Sequence, residues 1–153
     1  MTERDTEVLR LEVSSDPRLL GVIRGVLQVW LELVGLAVDR RDEVVLAVDE
    51  ACANCIRHAY DGRIDEPVEL LLSASAEWLE ISVSDQGTPC PAECAEYRPL
   101  MAPEPHELKP GGLGVKLIHQ VFDEVRFCPG TTSGNCVTMR LHRTTKGGVE
   151  SED

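Results

Sequence analysis

The sequence predicts an α/β fold of the α+β kind: a two-layer sandwich in which a largely antiparallel mixed sheet of about five strands carries three helices on one face. Three observations predict it. Segments near both ends and in the middle alternate apolar and polar residues with a period of two, two helical-period segments follow one another directly, and the element order reads β-α-α-β-β-loop-α-β-β. That order is neither the strict alternation of a parallel sheet nor an all-helical bundle.

Val8 to Val13 opens the chain, with Leu9, Leu11 and Val13 alternating with Arg10 and Glu12, as in an edge strand buried on one face. Ser14-Ser15-Asp16-Pro17 then sets capping residues before a proline suited to a first helical position, and Leu19, Leu20, Ile23, Leu27, Trp30, Leu31 and Val34 recur at helical spacing up to Gly35. A second helix starts at Asp39, carries Val44, Val45, Val48, Ala51, Cys52, Cys55 and Ile56, and stops at Asp61-Gly62. Pro67 to Ala74 and Glu77 to Ser84 form a hairpin around Ser75-Ala76, the second strand presenting Leu79, Ile81 and Val83 to one face. From Thr88 to Gly111 no period is sustained, and a proline-rich segment of that length inside a compact domain reads as a functional lid or as disordered chain. Val115, Leu117, Ile118, Val121 and Phe122 make a short helix opened by glycines. Val125 to Cys128 and Cys136 to Leu141 close the fold as two strands around a glycine-bearing turn. One domain is expected over residues 1–143, with the lid at 88–111 and a polar, disordered tail at 144–153.

Composition excludes several function classes. At 153 residues and 42% hydrophobic, the chain can bury an ordinary core without metal or disulfide staples. Twenty-seven acidic against fifteen basic residues give a net charge of −12, which opposes binding to nucleic acid or an anionic membrane. No run approaches the roughly 18 apolar residues of a membrane span, and the first five residues are too polar to begin a secretory signal, so a cytoplasmic location is expected. Cys52-x-x-Cys55 and Cys90-x-x-x-Cys94 imitate a zinc site, but the first pair falls inside a helical pattern. Cys52, Cys55, Cys128 and Cys136 read instead as small core hydrophobes, without disulfides.

Three short signatures carry the chemistry. On the second helix Glu50, Asn54 and His58 follow at i, i+4 and i+8, successive steps of about 40° that keep them on one stripe. A carboxylate beside an amide oxygen suits a general base next to a metal-bound triphosphate, since Mg²⁺ prefers oxygen ligands. A solvated helix face is the plainer account of such residues, and capping or packing explains His58 equally well. Asp85-Gln86-Gly87 follows a strand that reads as central. Its carboxylate can accept a hydrogen bond from an exocyclic amine and its glycine admits a flat ring, although an ordinary turn has the same composition. Gly112, Leu113 and Gly114 precede a helix, where backbone N–H groups and the helix dipole favour phosphate. Lys109 could add a phosphate contact, with a solvated lid lysine as the simpler account. The spacing fits neither a P-loop nor a dinucleotide-binding fingerprint.

These motifs, in this order, resemble the nucleotide-binding boxes of the GHKL superfamily, that is, the histidine-kinase-like ATPase fold. The segment D-E-A-C-A-N-C-I-R-H-A-Y, Asp49 to Tyr60, is most similar to the anti-sigma-factor serine kinases of the RsbW and SpoIIAB type. The resemblance spans about Val8 to Arg143. It implies ATP and Mg²⁺ as cofactors, with Asn54 on the metal, Glu50 as catalytic base and Asp85 on the adenine amino group. Gly87 would lie under the base, and Gly112 and Gly114 would cradle phosphates. It further implies a STAS-domain anti-anti-sigma protein as phosphorylation substrate, a sigma factor as second partner, a homodimer, and partner contact through Arg24. Two departures stand out, the proline-rich lid with Cys90 and Cys94, and Gly134-Asn135 where relatives often have Gly-Thr. The alternative from another class is a non-catalytic ATP-binding module that switches partners by lid closure. A third reading, a regulatory or phosphatase-type module of a larger sensor, would require flanking domains.

Overall fold

The computed structural model describes residues 7–89, 112–130 and 133–143. Five strands form one sheet: β1 (Glu7–Ser14), β2 (Pro67–Ala74), β3 (Trp78–Asp85), β4 (Glu124–Pro129) and β5 (Asn135–His142). Their order is β1-β2-β3-β5-β4 and every neighbouring pair is antiparallel. The largely antiparallel five-stranded sheet expected from the sequence is observed, and it is antiparallel throughout because β5 inserts between β3 and β4. The helical connection after β3 makes β4 run parallel to β3, and β5 keeps the two apart.

Among the described residues three α-helices accompany the sheet. A 3₁₀ turn (Pro17–Leu19), capped by the Asp16 carboxylate on the Arg18 N–H, leads into α1 (Leu20–Leu33). α1 buries Ile23, Leu27, Trp30 and Leu31, one stripe at helical spacing, and stops before Gly35, whose φ of 81° a side chain would disfavour. α2 (Val38–Asn54) starts one residue earlier than expected and continues as a π turn over Cys55–Ala59. α3 (Gly112–Val121) follows the expected lid. α2 packs against both α1 and α3 and touches β3, so it occupies the middle of the helical layer.

The core is legible as rows across the sheet. Leu9, Leu72, Ile81, Met139 and Val125 are register partners in succession, and so are Leu11, Leu70, Val83, Val137 and Phe127. Leu70, Leu72, Ile81 and Met139 are completely shielded from water under Val44, Val48 and Cys52 of α2. Each such side chain stabilises the fold by about 1.5–3 kcal/mol. The same registers correct one expectation. Cys128 is exposed and Cys136 only half-buried, because both lie on the opposite face of their strands from Val125, Phe127, Val137 and Met139. Leu27, Trp30 and Leu31 are core, whereas Val29 and Leu33 on the other side of α1 stay 69% and 72% exposed, free for an interface.

Of the expected lid at 88–111, residues 90–111, with Cys90, Cys94 and Lys109, lie outside the described residues, as does the tail at 144–153. No helix among the described residues is long and apolar enough to cross a membrane.

Candidate functional site

The site assembles where the C-terminal end of α2 meets the first turn of α3 and the end of β3. Glu50 and Asn54 stand one helical turn apart, as their spacing dictates. Their side chains are held by a residue the sequence reading passed over. Arg57 Nη2 donates to Asn54 Oδ1 at 3.2 Å and lies 3.6 Å from Glu50 Oε2. The other side of Glu50 faces α3: a Cβ added at Gly114 would come within 2.5 Å of Oε2 and 3.4 Å of the Glu50 Cβ. The opening turn of α3, which contains Gly112, Leu113 and Gly114, packs closely on the carboxylate, and a larger residue at 114 would make the Glu50 carboxylate shift.

Asp85 reaches the same region by register. It continues the alternation Leu79, Ile81, Val83, Asp85, so its carboxylate points into the apolar layer and is only 7% exposed. A buried carboxylate needs partners, and two donors converge on it. Gly87 N–H and Asn135 Nδ2 each donate to Oδ1 at 3.0 Å. Burial first, then the Asp85 charge, holds the Cys55 thiol well above its ordinary pKa. Asn135 is the cross-strand partner of Asp85 and also donates to the Thr88 carbonyl at 2.9 Å, tying β5 to the first residue of the expected lid. The departure at Gly134-Asn135 therefore acts at Asp85.

The loop after β3 is clamped on several sides. The Gln86 N–H donates to the buried Tyr60 hydroxyl at 2.7 Å, Thr88 N–H donates to the Ala59 carbonyl at 2.9 Å, and Gly134 N–H donates to the Gly87 carbonyl at 2.7 Å. Gly87 lies beneath the Ala59 backbone, where an added Cβ would meet the carbonyl oxygen at 2.3 Å. Helix-to-loop packing thus accounts for this glycine. Gly87→Ala is expected to destabilise by about 1–3 kcal/mol, the range for overpacking. For a chain of this size that lowers Tm by roughly 2–4 °C per kcal/mol, readable by thermal unfolding. Gly25→Ala, with nothing within 4 Å of the added carbon, is the control and should leave Tm unchanged or raise it.

Two predicted members lie differently. His58 is exposed on the π turn, whose i→i+5 hydrogen bond from Tyr60 N–H to the Cys55 carbonyl breaks the α-helical count after Asn54. Arg24, on α1, is half-exposed and paired with Asp49 at 2.9 Å, next in sequence to Glu50. Arg57, Cys55, Tyr60 and Asn135 are the neighbours the sequence reading missed. Arg57 had a signal, since i+7 from Glu50 and i+3 from Asn54 put it on their stripe. Asn135 had one too, a polar residue in the apolar register Val137, Met139, Leu141.

Among the described residues no three His, Cys, Asp or Glu side chains stand together as a metal site; Cys90 and Cys94 of the zinc reading lie outside them, and burial pushes the Cys52 thiol up to about 12. The oxygens of Glu50 and Asn54 are hard donors of the kind Mg²⁺ takes, and the pair already accommodates a cationic group, the Arg57 guanidinium. The residues present fit a divalent ion.

Comparison with known proteins bears on the family and the fold. The family profile described as histidine kinase-like ATPase domain matches residues 13–141. The serine-protein kinase RsbW of Bacillus licheniformis is 30% identical over 130 residues, covering 80% of this chain and 79% of that protein. RsbW of Bacillus subtilis is 27% identical over 129 residues, covering 81% and 79%. Among solved structures, the RsbU and RsbW domains of Rv1364c from Mycobacterium tuberculosis superpose with a TM-score of 0.65 at 16% identity, over 91% of this chain. This chain spans about a third of that one, 33%, and the likeness shows the shared fold.

Proposed function

This chain belongs to the histidine kinase-like ATPase family, and from that premise we infer that it is a serine-protein kinase of the RsbW kind, using ATP as phosphoryl donor. One observation carries the reading furthest: Glu50 Oε2 lies against the glycine turn that opens α3, so a proton acceptor stands beside the place where phosphate is best stabilised. Asn54 would hold Mg²⁺, which leaves the Glu50 carboxylate beside it as the base. A phosphate brought beside the Glu50 carboxylate sets like charges together, and a divalent ion offsets that repulsion. Asp85 would accept from the adenine amino group, while Gly112, Leu113 and Gly114 offer backbone N–H groups to the phosphates; Lys109 and His58 are further members of the proposed nucleotide site. With the substrate serine in place, Glu50 takes the hydroxyl proton as the oxygen attacks the γ-phosphorus and ADP leaves.

The substrate we propose is a STAS-domain anti-anti-sigma protein, with a sigma factor as the competing partner and the cytoplasm as the location of both. Arg24 supports a partner contact, being half-exposed and tied through Asp49 to the residue next to Glu50. A homodimer is supported by the edge strand β1 and the exposed Val8, Val29 and Leu33, which flank one apolar groove between β1 and α1. Light scattering should give twice the 16.9 kDa of the chain, and Leu33→Glu should return it to a monomer; a monomeric wild type removes the dimer.

The deciding experiment incubates the protein with its cognate STAS protein and labelled ATP, and looks for phosphoserine. A second reading, a non-catalytic ATP-binding module that switches partners by lid closure, is favoured by one observation, the engagement of Glu50 by Arg57. On that reading Asn54→Ala abolishes partner exchange while Glu50→Ala leaves it intact.

A further inference from the structure

Two free thiols stand opposite one another on the face of the sheet turned away from the core. Cys128 on the edge strand β4 and Cys136 on β5 are register partners, and both point away from the side of Phe127, Val137 and Met139. Two residues further along the same ladder the Gly130 N–H donates to the Gly134 carbonyl at 2.7 Å. Cys128 and Cys136 are therefore a hydrogen-bonded pair, with Cα atoms about 5.5 Å apart. That separation falls inside the range of about 4.4–6.8 Å that a disulfide spans. The two thiols differ in their surroundings. Cys128 is exposed, whereas Cys136 is half-buried with its sulfur turned to β3, where the Ser84 hydroxyl donates to Sγ at 3.5 Å. Cys136 also follows Asn135, whose amide holds both the Asp85 carboxylate and the Thr88 carbonyl.

We propose that Cys128 and Cys136 are a redox-modification site, closed into a cross-strand disulfide by a peroxide, and that closure loosens the Asp85 end of the site. The exposed Cys128 thiolate attacks one peroxide oxygen, giving a sulfenic acid and a water. The Cys136 thiolate, swung from Ser84 toward β4, then attacks the Cys128 sulfur; the S–S bond forms, the S–O bond breaks, and hydroxide leaves as a second water. The two sulfurs lose two electrons and the peroxide gains them. Cβ atoms of a hydrogen-bonded pair stand about 5.5 Å apart and those of a disulfide about 3.8 Å, so closure draws β4 and β5 together and thiols readily reverse it. It also takes the Cys136 sulfur off Ser84, and Ser84–Cys136 is the pair adjoining Asp85–Asn135 in the register. In reducing compartments such bonds are transient and serve redox sensing. The effect on nucleotide rests on the reading above; the disulfide itself does not.

Hydrogen peroxide treatment of the full chain, followed by non-reducing tryptic mapping, tests the bond. The peptide Phe127–Arg140 contains these two cysteines and no other. It should become lighter by two hydrogen atoms, resist alkylation, and regain both thiols with dithiothreitol. Equilibrium binding of a fluorescent ATP analogue to the same samples tests the consequence. Affinity should fall about tenfold on oxidation, the equivalent of one hydrogen bond, and recover on reduction. Cys128→Ser, at an exposed position, should keep the affinity of the reduced wild type before and after peroxide. Oxidation that links either thiol to Cys90 or Cys94 instead, or that stops at sulfinic acids, overturns the site. A disulfide within Phe127–Arg140 that leaves ATP affinity unchanged overturns the coupling to Asp85. A reduced wild type that binds no ATP overturns the nucleotide reading, while the mapped bond still decides the redox site.

Discussion

Glu50→Ala is expected to lower serine phosphorylation by about 10²–10⁴-fold, the usual loss when a general base is removed, while ATP remains bound. The separation of the two effects follows from position. Glu50 presents one oxygen to the opening turn of α3 and to Arg57, and its carboxylate is a negative charge next to the place assigned to phosphate. Its removal takes away the proton acceptor and also a repulsion, so affinity for ATP should hold within a few-fold or improve. Glu50→Gln keeps the shape without the basicity and should lose transfer to a similar extent. Single-turnover phosphorylation alongside equilibrium binding checks both halves. Transfer at the wild-type rate in both variants would falsify the base assignment and leave a pocket that holds ATP without using Glu50.

The second large effect is at Asp85. Asp85→Asn exchanges a pure acceptor for a group that is half donor, in a place where Gly87 N–H and Asn135 Nδ2 already donate to one oxygen. The amide oxygen can keep those two, but the new buried NH₂ has no acceptor among them and faces the proposed adenine amino group with another N–H. A buried donor left unsatisfied costs about 1–3 kcal/mol, so ATP affinity should fall roughly 10–100-fold and Tm by several degrees. The base preference is the sharper readout. An amide can donate to the carbonyl that guanine carries in place of the amine, so the ATP-to-GTP affinity ratio should shrink with the variant. An unchanged ratio together with wild-type affinity would show that Asp85 is a structural buried acid only.

Much of the site was open to reading in one dimension because its elements are local. Glu50, Asn54 and Arg57 share a helix face by counting alone, and a glycine cluster before a short helix announces a phosphate-sized opening. Asp85 was legible in a way not exploited: it keeps step with Leu79, Ile81 and Val83, and an acid in an apolar register asks what it bonds. Gly87 was legible as a glycine, but one physical need for it was not: an added Cβ would lie 2.3 Å from the Ala59 carbonyl oxygen, a group 28 residues earlier, roughly 90 Å of extended chain. His58 shows where counting stops. A single π turn changes the angular step, and periodicity carries no warning of it.

Local patterning alone decided the elements, their amphipathic faces and the three signatures, because helix and strand periods and glycine-rich turns are properties of neighbouring residues. Register and packing decided the rest. The insertion of β5 between β3 and β4 made the sheet wholly antiparallel and set Asn135 opposite Asp85, and the close approach of α3 to α2 brought Gly114 onto Glu50. Those contacts join residues 50 or more positions apart, and what selects them is the burial of two continuous apolar rows, a sum over the whole sheet that no short segment contains.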